Sequence, residues 1–348
     1  MNWLSDEAIA RLQTASALPD LAGTRYRLIE RVGGGGMGTV YLVEDSVLGR
    51  RVALKILDLP ELRADLSARL LREAQILGRL EHPGIVPVHD AGTLADGRAF
   101  YAMKFVEGES LDMLAKRIDN IPDRLRIFQR ICEAVAFAHA RGILHRDLKP
   151  ENVMVGPFGE VLVMDWGVAK ILREDRTPRE DHARIPRESS QNEPTETKPL
   201  KTEHGTVLGT AGYMAPEQAR GEIDGLDERA DIYSLGAILR FLLSSKRPTA
   251  GEERLNNESA PLSSAGSAPK AVAAISQKAM AEDRANRYVS VSDLASDIAG
   301  YLDGSPVSAY PENVFHKVAR WATRYRVAIG LVLAYLIVRA LLLFWLRR

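Results

Sequence analysis

Apolar positions along this chain follow two spacings, a short alternation near the start and a helical repeat further on. YRLIERV (Tyr26–Val32), VYLVED (Val40–Asp45) and RVALKIL (Arg51–Leu57) read as strands. Leu66, Leu70, Leu77 and Leu80 recur at helical intervals, which predicts a helix over Leu66–Leu80. Two short strands are predicted near Val86–His89 and Ala99–Phe105, and a long helix over Arg124–Arg141. Helical patterns dominate from Arg229 to Leu302. A β-rich first third and an α-rich remainder predict an α+β chain of two lobes.

Two stretches depart from these spacings. Arg173 to Glu203 carries four prolines and only Ala183, Ile185 and Leu200 as aliphatics. Such a segment buries too little surface to offset the entropy of ordering, so disorder is predicted for 173–203, as a variable surface insertion or a regulatory segment. Val327–Leu346 is the opposite: twenty residues with one charge, Arg339. That length matches the roughly 20 residues of a bilayer-crossing helix. Arg339 lies near enough to the end of the run for its side chain to snorkel. Trp321, Tyr325 and Trp345 sit where interfacial aromatics belong. A buried helix is the alternative, but apolar residues occupy every face of the run. Lys317, Arg320, Arg324 and Arg326 precede it and Arg347 and Arg348 follow, so by the positive-inside bias the N-terminal bulk is expected in the cytoplasm, and no outer sensor domain is expected.

Composition adds exclusions. Basic and acidic residues balance at 46 each, so nothing global points to nucleic acid. The single cysteine, Cys132, excludes an internal disulfide, and no Cys/His cluster has zinc-ligand spacing; a reducing compartment fits. Residues 1–25 form a short lead whose start, MNWLSDEAIARL, is acidic and unlike a secretory signal.

The candidate chemistry begins at RVGGGGMGTV, where five of the six residues from Gly33 to Gly38 are glycine. A flexible turn and a cover for phosphates are both open at this point. Gly33, Gly35, Gly38 and Val40 fit G-x-G-x-x-G-x-V between two strands, where bare backbone can present N–H groups to phosphate oxygens. No helix starts at Gly38 and no G-K-[ST] follows, which excludes a dinucleotide turn and a Walker loop. Lys55 in VALK is either a solvated strand residue or a phosphate ligand steadied by a carboxylate, for which Glu73 is the candidate. HRDLKPENVMV (His145–Val155) and VMDWG (Val163–Gly167) complete the set. Phosphoryl transfer needs positioning and charge cancellation. Asp147 suits an acceptor hydroxyl, Lys149 the transferred charge, and Asn152 with Asp165 supply the hard oxygens that magnesium prefers.

Taken in order, these motifs resemble the eukaryotic-type (Hanks-type) serine/threonine protein kinases, in the style of bacterial membrane-anchored members, over about Tyr26 to Leu302. The resemblance implies a bilobal kinase domain at 26–302, with an N-lobe over about 26–106 and a C-lobe over about 107–302. A basic juxtamembrane segment at 303–326 and a transmembrane helix at 327–346 would follow. It implies ATP with Mg2+ or Mn2+ as cofactors and protein substrates, among them a second copy of the chain. Asp147, Lys149, Lys55 and Glu73 take catalytic roles. Val32, Gly33, Gly34, Gly35, Gly36, Met37, Gly38, Val40, Ala53 and Lys55 would contact the nucleotide, with Met103, Lys104 and Val106 in the hinge stretch MKFVEG and Met103 as gatekeeper. Asn152 and Asp165 hold the metal. Lys149 marks the serine/threonine form. GTAGYMAPEQ (Gly209–Gln218) resembles the end of an activation segment, with Thr210 near Asp147. Glu217 is expected to pair with Arg287, and Asp231 to support the catalytic loop.

Three departures stand out. Trp166 replaces the Phe of D-F-G, the stretch from Asp165 to Glu217 is long, and Arg247–Lys270 is polar where the family often has a docking helix. Arg146 before Asp147 resembles kinases switched on by phosphorylation, with Thr206 and then Thr202 as the expected sites. The alternative in another class is a membrane-tethered pseudokinase. Such a scaffold is free to lose Lys55, Asp147, Asn152 or Asp165, and all four are present.

Overall fold

The computed structural model describes residues 18–35, 38–57, 64–166, 170–171, 212–222, 225–244 and 269–311, with 330–332, 334–336, 339 and 345 near the C-terminus. Gly36, Met37, the 173–203 insertion, Thr202, Thr206, Thr210 and nearly all of Arg247–Lys270 lie outside the described residues.

Five strands, β1 (Tyr26–Gly35), β2 (Gly38–Asp45), β3 (Arg50–Ile56), β4 (Val88–Thr93) and β5 (Ala99–Lys104), form an antiparallel sheet in the order β1-β2-β3-β5-β4. The period of two sorts its side chains onto two faces. Tyr41, Val43, Val52, Leu54, Ile56, Phe100 and Ala102 pack together on one face. Ala53, Tyr101 and Met103 face the other way and join the main core. Helix α1 (Ala64–Arg79) buries Leu70, Ala74, Ile76 and Leu77 in that core. The β2–β3 turn is closed by Asp45, whose Oδ1 accepts the N–H groups of Val47 and Leu48 at 3.2 Å each.

The remainder is helical: α2 (Leu111–Leu114), α3 (Ile121–Ala140), α4 (Pro216–Ala219), α5 (Glu228–Ser244), α6 (Lys270–Ala279) and α7 (Val291–Leu302). Short strands β6 (Glu109–Ser110), β8 (Val153–Val155) and β9 (Val161–Val163) form one ladder, and β7 (Ile143–Leu144) pairs with β10 (Lys170–Ile171). Asn120 starts α3 by accepting the Asp123 N–H at 2.8 Å, with Pro122 in the first turn. Helix α5 is buried nearly throughout, and Gly236 lets α6 come close, since a Cβ there would stand 2.8 Å from that of Ala279.

The two lobes meet along backbone. Val163 donates its N–H to the Gly84 carbonyl at 2.8 Å and accepts from Val86 at 3.4 Å. Apolar packing follows the same line, with Leu77, Val86 and Met103 in one cluster with Leu148, Val153 and Trp166. Packing continues past Leu302. Asp297 accepts the Ser308 and Ala309 N–H groups at 2.8 and 3.1 Å, and Val307 is buried beside it.

Of the segment read as membrane-spanning, the described residues are helical, and Leu331, Val332, Tyr335, Leu336 and Trp345 are exposed. Among the described residues no helix is long and apolar enough to cross a membrane.

Candidate active site

The cleft is built outward from β3. Cross-strand pairing sets Val40 and Tyr101 on either side of Lys55, and Met103 beside Ala53. Opposed residues share a face, so Val40, Ala53, Lys55, Tyr101 and Met103 all look toward the second lobe. Lys55 Nζ donates to both oxygens of Glu73 on α1 at 3.0 Å and to Asp165 Oδ1 at 3.2 Å. Tyr101 donates its hydroxyl to Glu73 Oε1 at 2.7 Å. Side-chain exposure separates the two carboxylates, at 1% for Glu73 and 46% for Asp165. Only the second opens to an incoming ligand.

Electrostatics follow from one ammonium shared by two acids. Burial alone would depress the Lys55 amine, but Glu73 and Asp165 outweigh it and hold Lys55 above the usual lysine range. Burial drives Glu73 upward against the pull of Lys55 and Tyr101. Asp165, also resisted by burial, is drawn below the carboxylate range chiefly by Lys55.

Below the sheet, a loop carries Asp147, Lys149 and Asn152. Lys149 Nζ donates to Asp147 Oδ2 at 2.8 Å. Asn152 Nδ2 donates to the Asp147 carbonyl at 2.8 Å and to Oδ2 at 3.3 Å. With its nitrogen so committed, Asn152 has Oδ1 as the atom to offer a cation. The loop is pinned from beneath by buried Asp231 on α5, which accepts the His145 and Arg146 N–H groups and bonds His139 Nε2, each at 2.8 Å. These bonds hold Arg146 at φ 70°, a conformation L-residues rarely adopt. Asp165 also has a positive φ, 60°. Next to it, Trp166 is fully buried, packs against His145 with ring centroids 4.5 Å apart and planes tilted by 50°, and donates Nε1–H to the Val163 carbonyl at 3.4 Å. His145 in turn bonds the Met164 carbonyl through Nε2 at 2.9 Å.

The glycine stretch closes the top. β1 ends at Gly35, paired with Gly38. Gly38 has φ 130°, and a Cβ there would collide with the Ile56 carbonyl oxygen. A Cβ on Gly33 would meet nothing within 4 Å. Val32, Gly33 and Gly34 are exposed, and Val40 is half-buried. At the cleft's rear, Met103 and Val106 are buried, while Lys104 is exposed and donates its N–H to Pro87 at 3.0 Å. Farther off, Arg287 donates to both oxygens of Glu217 at 2.7 and 2.9 Å, the buried pair expected from the sequence.

The candidate residues Lys55, Glu73 and Asp165 thus meet in one cluster, and Asp147, Lys149 and Asn152 in a second. Three partners escaped the sequence reading: Tyr101, His139 and Gln218, whose side chain donates to the Arg146 carbonyl. Tyr101 was detectable, because it lies two residues before Met103 on one strand and so shares its face. His139 left no such signal; its bond to Asp231 spans 92 residues. Among the described residues no three acidic, histidine or cysteine side chains form a metal cage. Asn152 Oδ1 and the Asp165 carboxylate are hard oxygens of the kind a divalent ion takes.

The protein kinase domain pattern matches residues 26–298. Serine/threonine-protein kinase PknD of Protochlamydia amoebophila is 38% identical over 309 residues, covering 80% of this chain and 30% of that protein. PknD of Chlamydia trachomatis is 37% identical over 311 residues, covering 81% and 32%. The chain spans about a third of the length of these curated relatives. The kinase domain of Mycobacterium tuberculosis PknI superposes with a TM-score of 0.57 at 25% identity, over 80% of this chain and 96% of that domain.

Proposed function

We propose, from the premise that this chain belongs to the protein kinase domain family of Hanks-type serine/threonine kinases, that it transfers the γ-phosphoryl of ATP to serine or threonine hydroxyls of proteins. The observation that carries the reading is the meeting of Lys55, Glu73 and Asp165 across two lobes, above Asp147 and Asn152. ATP with a divalent ion, Mg2+ by the hardness of its ligands, supplies the phosphoryl group and offsets its charge. Lys55 grips the α- and β-phosphates, and Glu73 keeps the amine aimed. Asp165 and Asn152 Oδ1 would hold the ion. Asp147 would orient the acceptor hydroxyl and take its proton as that oxygen attacks the γ-phosphorus and the bond from phosphorus to the β–γ bridging oxygen breaks, with ADP leaving. Lys149 shields the charge between them. Val32, Gly33 to Gly38, Val40, Ala53, Met103, Lys104 and Val106 would contact the nucleotide, as the resemblance implies.

The test is transfer of labelled phosphate to a generic basic protein with Mg-ATP, alongside Asp147→Asn. Transfer that survives the substitution, or none from the parent chain, ends this reading.

Activation by self-phosphorylation belongs to the same proposal. The guanidinium of Arg146 is penalised by burial, and its Nε has no hydrogen-bond partner among the described residues. A phosphate on Thr206 or Thr202 would answer that charge. Phosphopeptide mapping after Mg-ATP decides it; fully active protein unmodified at both sites refutes it.

We further read Val327–Leu346 as a membrane anchor with the kinase domain in the cytoplasm. Support comes from the apolar length of the run and from exposed Leu331, Val332, Tyr335 and Leu336. Clustering on one surface would favour phosphorylation between copies.

A further inference from the structure

Resting on that reading, the geometry points to a further participant: we propose that Tyr101 is a positioning residue for phosphoryl transfer, its phenol fixing the Glu73 carboxylate against Lys55 before nucleotide arrives. Tyr101 is 1% exposed and its hydroxyl reaches Glu73 Oε1 at 2.7 Å, the shortest bond that Glu73 makes in this cluster. The ring alone would satisfy packing, since its neighbours two residues away on the same face, Ala99 and Met103, are apolar. A hydroxyl at that depth needs a partner, and this one is spent on a residue of a different element.

The consequence is mechanical. Glu73 rides on α1, and Lys55 reaches it along a flexible side chain from β3. A lone lysine can follow the carboxylate as the helix shifts, so the ion pair by itself does not fix where the amine sits. Tyr101 stands on β5, hydrogen-bonded to β3 with Tyr101 directly opposite Lys55. Its ring allows the hydroxyl little travel. The carboxylate is therefore referenced to the sheet rather than to the helix, and so is the amine that grips phosphate. Lys55 Nζ also lies 5.7 Å from the Tyr101 ring centroid, within cation–π range.

Binding of a non-hydrolysable ATP analogue with Mg2+ tests this without turnover, in the Asp147→Asn background. Tyr101→Phe keeps the ring and is expected to weaken the analogue about tenfold while lowering the melting temperature by only a few degrees, so that the protein stays folded at the assay temperature. In otherwise unmodified protein the same change raises KM for ATP and leaves KM for the protein substrate alone. Glu73→Ala closes a double-mutant cycle: once the carboxylate is gone, Tyr101→Phe costs nothing further. Equal affinity of Tyr101→Phe and its parent overturns the proposal, as does an equal loss with and without Glu73, which would mark a packing role. A parent that binds the analogue and transfers phosphate while Tyr101→Phe changes nothing defeats this proposal alone. A parent that binds no nucleotide defeats the kinase reading along with it.

Discussion

Gly38 and Gly33 look interchangeable in a run of glycines, yet the fold asks different things of them. Gly38 combines φ 130° with a carbonyl where its Cβ would sit, so Gly38→Ala is expected to cost on the order of 1–3 kcal/mol of stability in urea unfolding. Gly33 has open space around it, and Gly33→Ala should unfold like the parent, with any loss confined to KM for ATP. Asp147 gives the complementary case. Its carboxylate bonds Lys149 and Asn152 without bearing on the core, so Asp147→Asn should lower kcat roughly 10²–10⁴-fold and leave analogue affinity within about a factor of two.

Helix α5 shows how an element can serve the site without entering it. Asp231 accepts two loop N–H groups at once, and an asparagine there can accept one but turns an N–H toward the other. Asp231→Asn is expected to destabilise by about 3 kcal/mol in thermal or denaturant melts, and to reduce kcat by releasing the loop that carries Asp147. Acid acts on the same supports. Burial opposes ionisation of Asp231 and Glu217, but hydrogen bonds from His139 and the loop amides, and from Arg287, more than reverse it, so both fold with depressed values. Their stabilisation is complete above the unfolded values of about 3.9 and 4.3 and is lost as pH falls through the folded ones. Melting temperature should thus hold near neutrality and drop below about pH 4, less steeply in Glu217→Gln. The identity of β1 to β5 and of the long helices α1 and α3 was legible from spacing, while their ends were not, and the short strands β6 to β10 left no such signal. β1 runs on to Gly35 because β2 supplies a ladder that pairs the glycine backbone despite its poor strand propensity. β4 starts at Val88, since Val86 is committed to the second lobe.

Over the whole molecule, what the sequence disclosed was chemistry in chain order, and what it concealed was convergence. Lys55, Glu73, Asp147, Asn152 and Asp165 were each readable because phosphoryl transfer constrains residue type and order tightly. Tyr101, His139 and the Gln218 side chain, which donates to the Arg146 carbonyl at 2.9 Å, act through distances that only the fold creates. The proposed anchor yields its own outcome: the full chain should sediment with membranes and resist alkaline carbonate, and a form ending at Pro311 should not. That end point respects the tail, which a cut at Asp303 would strip of its bonds to Asp297. Those bonds have one more effect. Asp297 also receives the Tyr288 hydroxyl at 2.7 Å, one residue from Arg287, so any pull on the chain beyond Pro311 is arrested there, as a knot spares the seam behind it, and tension reaches the cleft only after that knot has slipped.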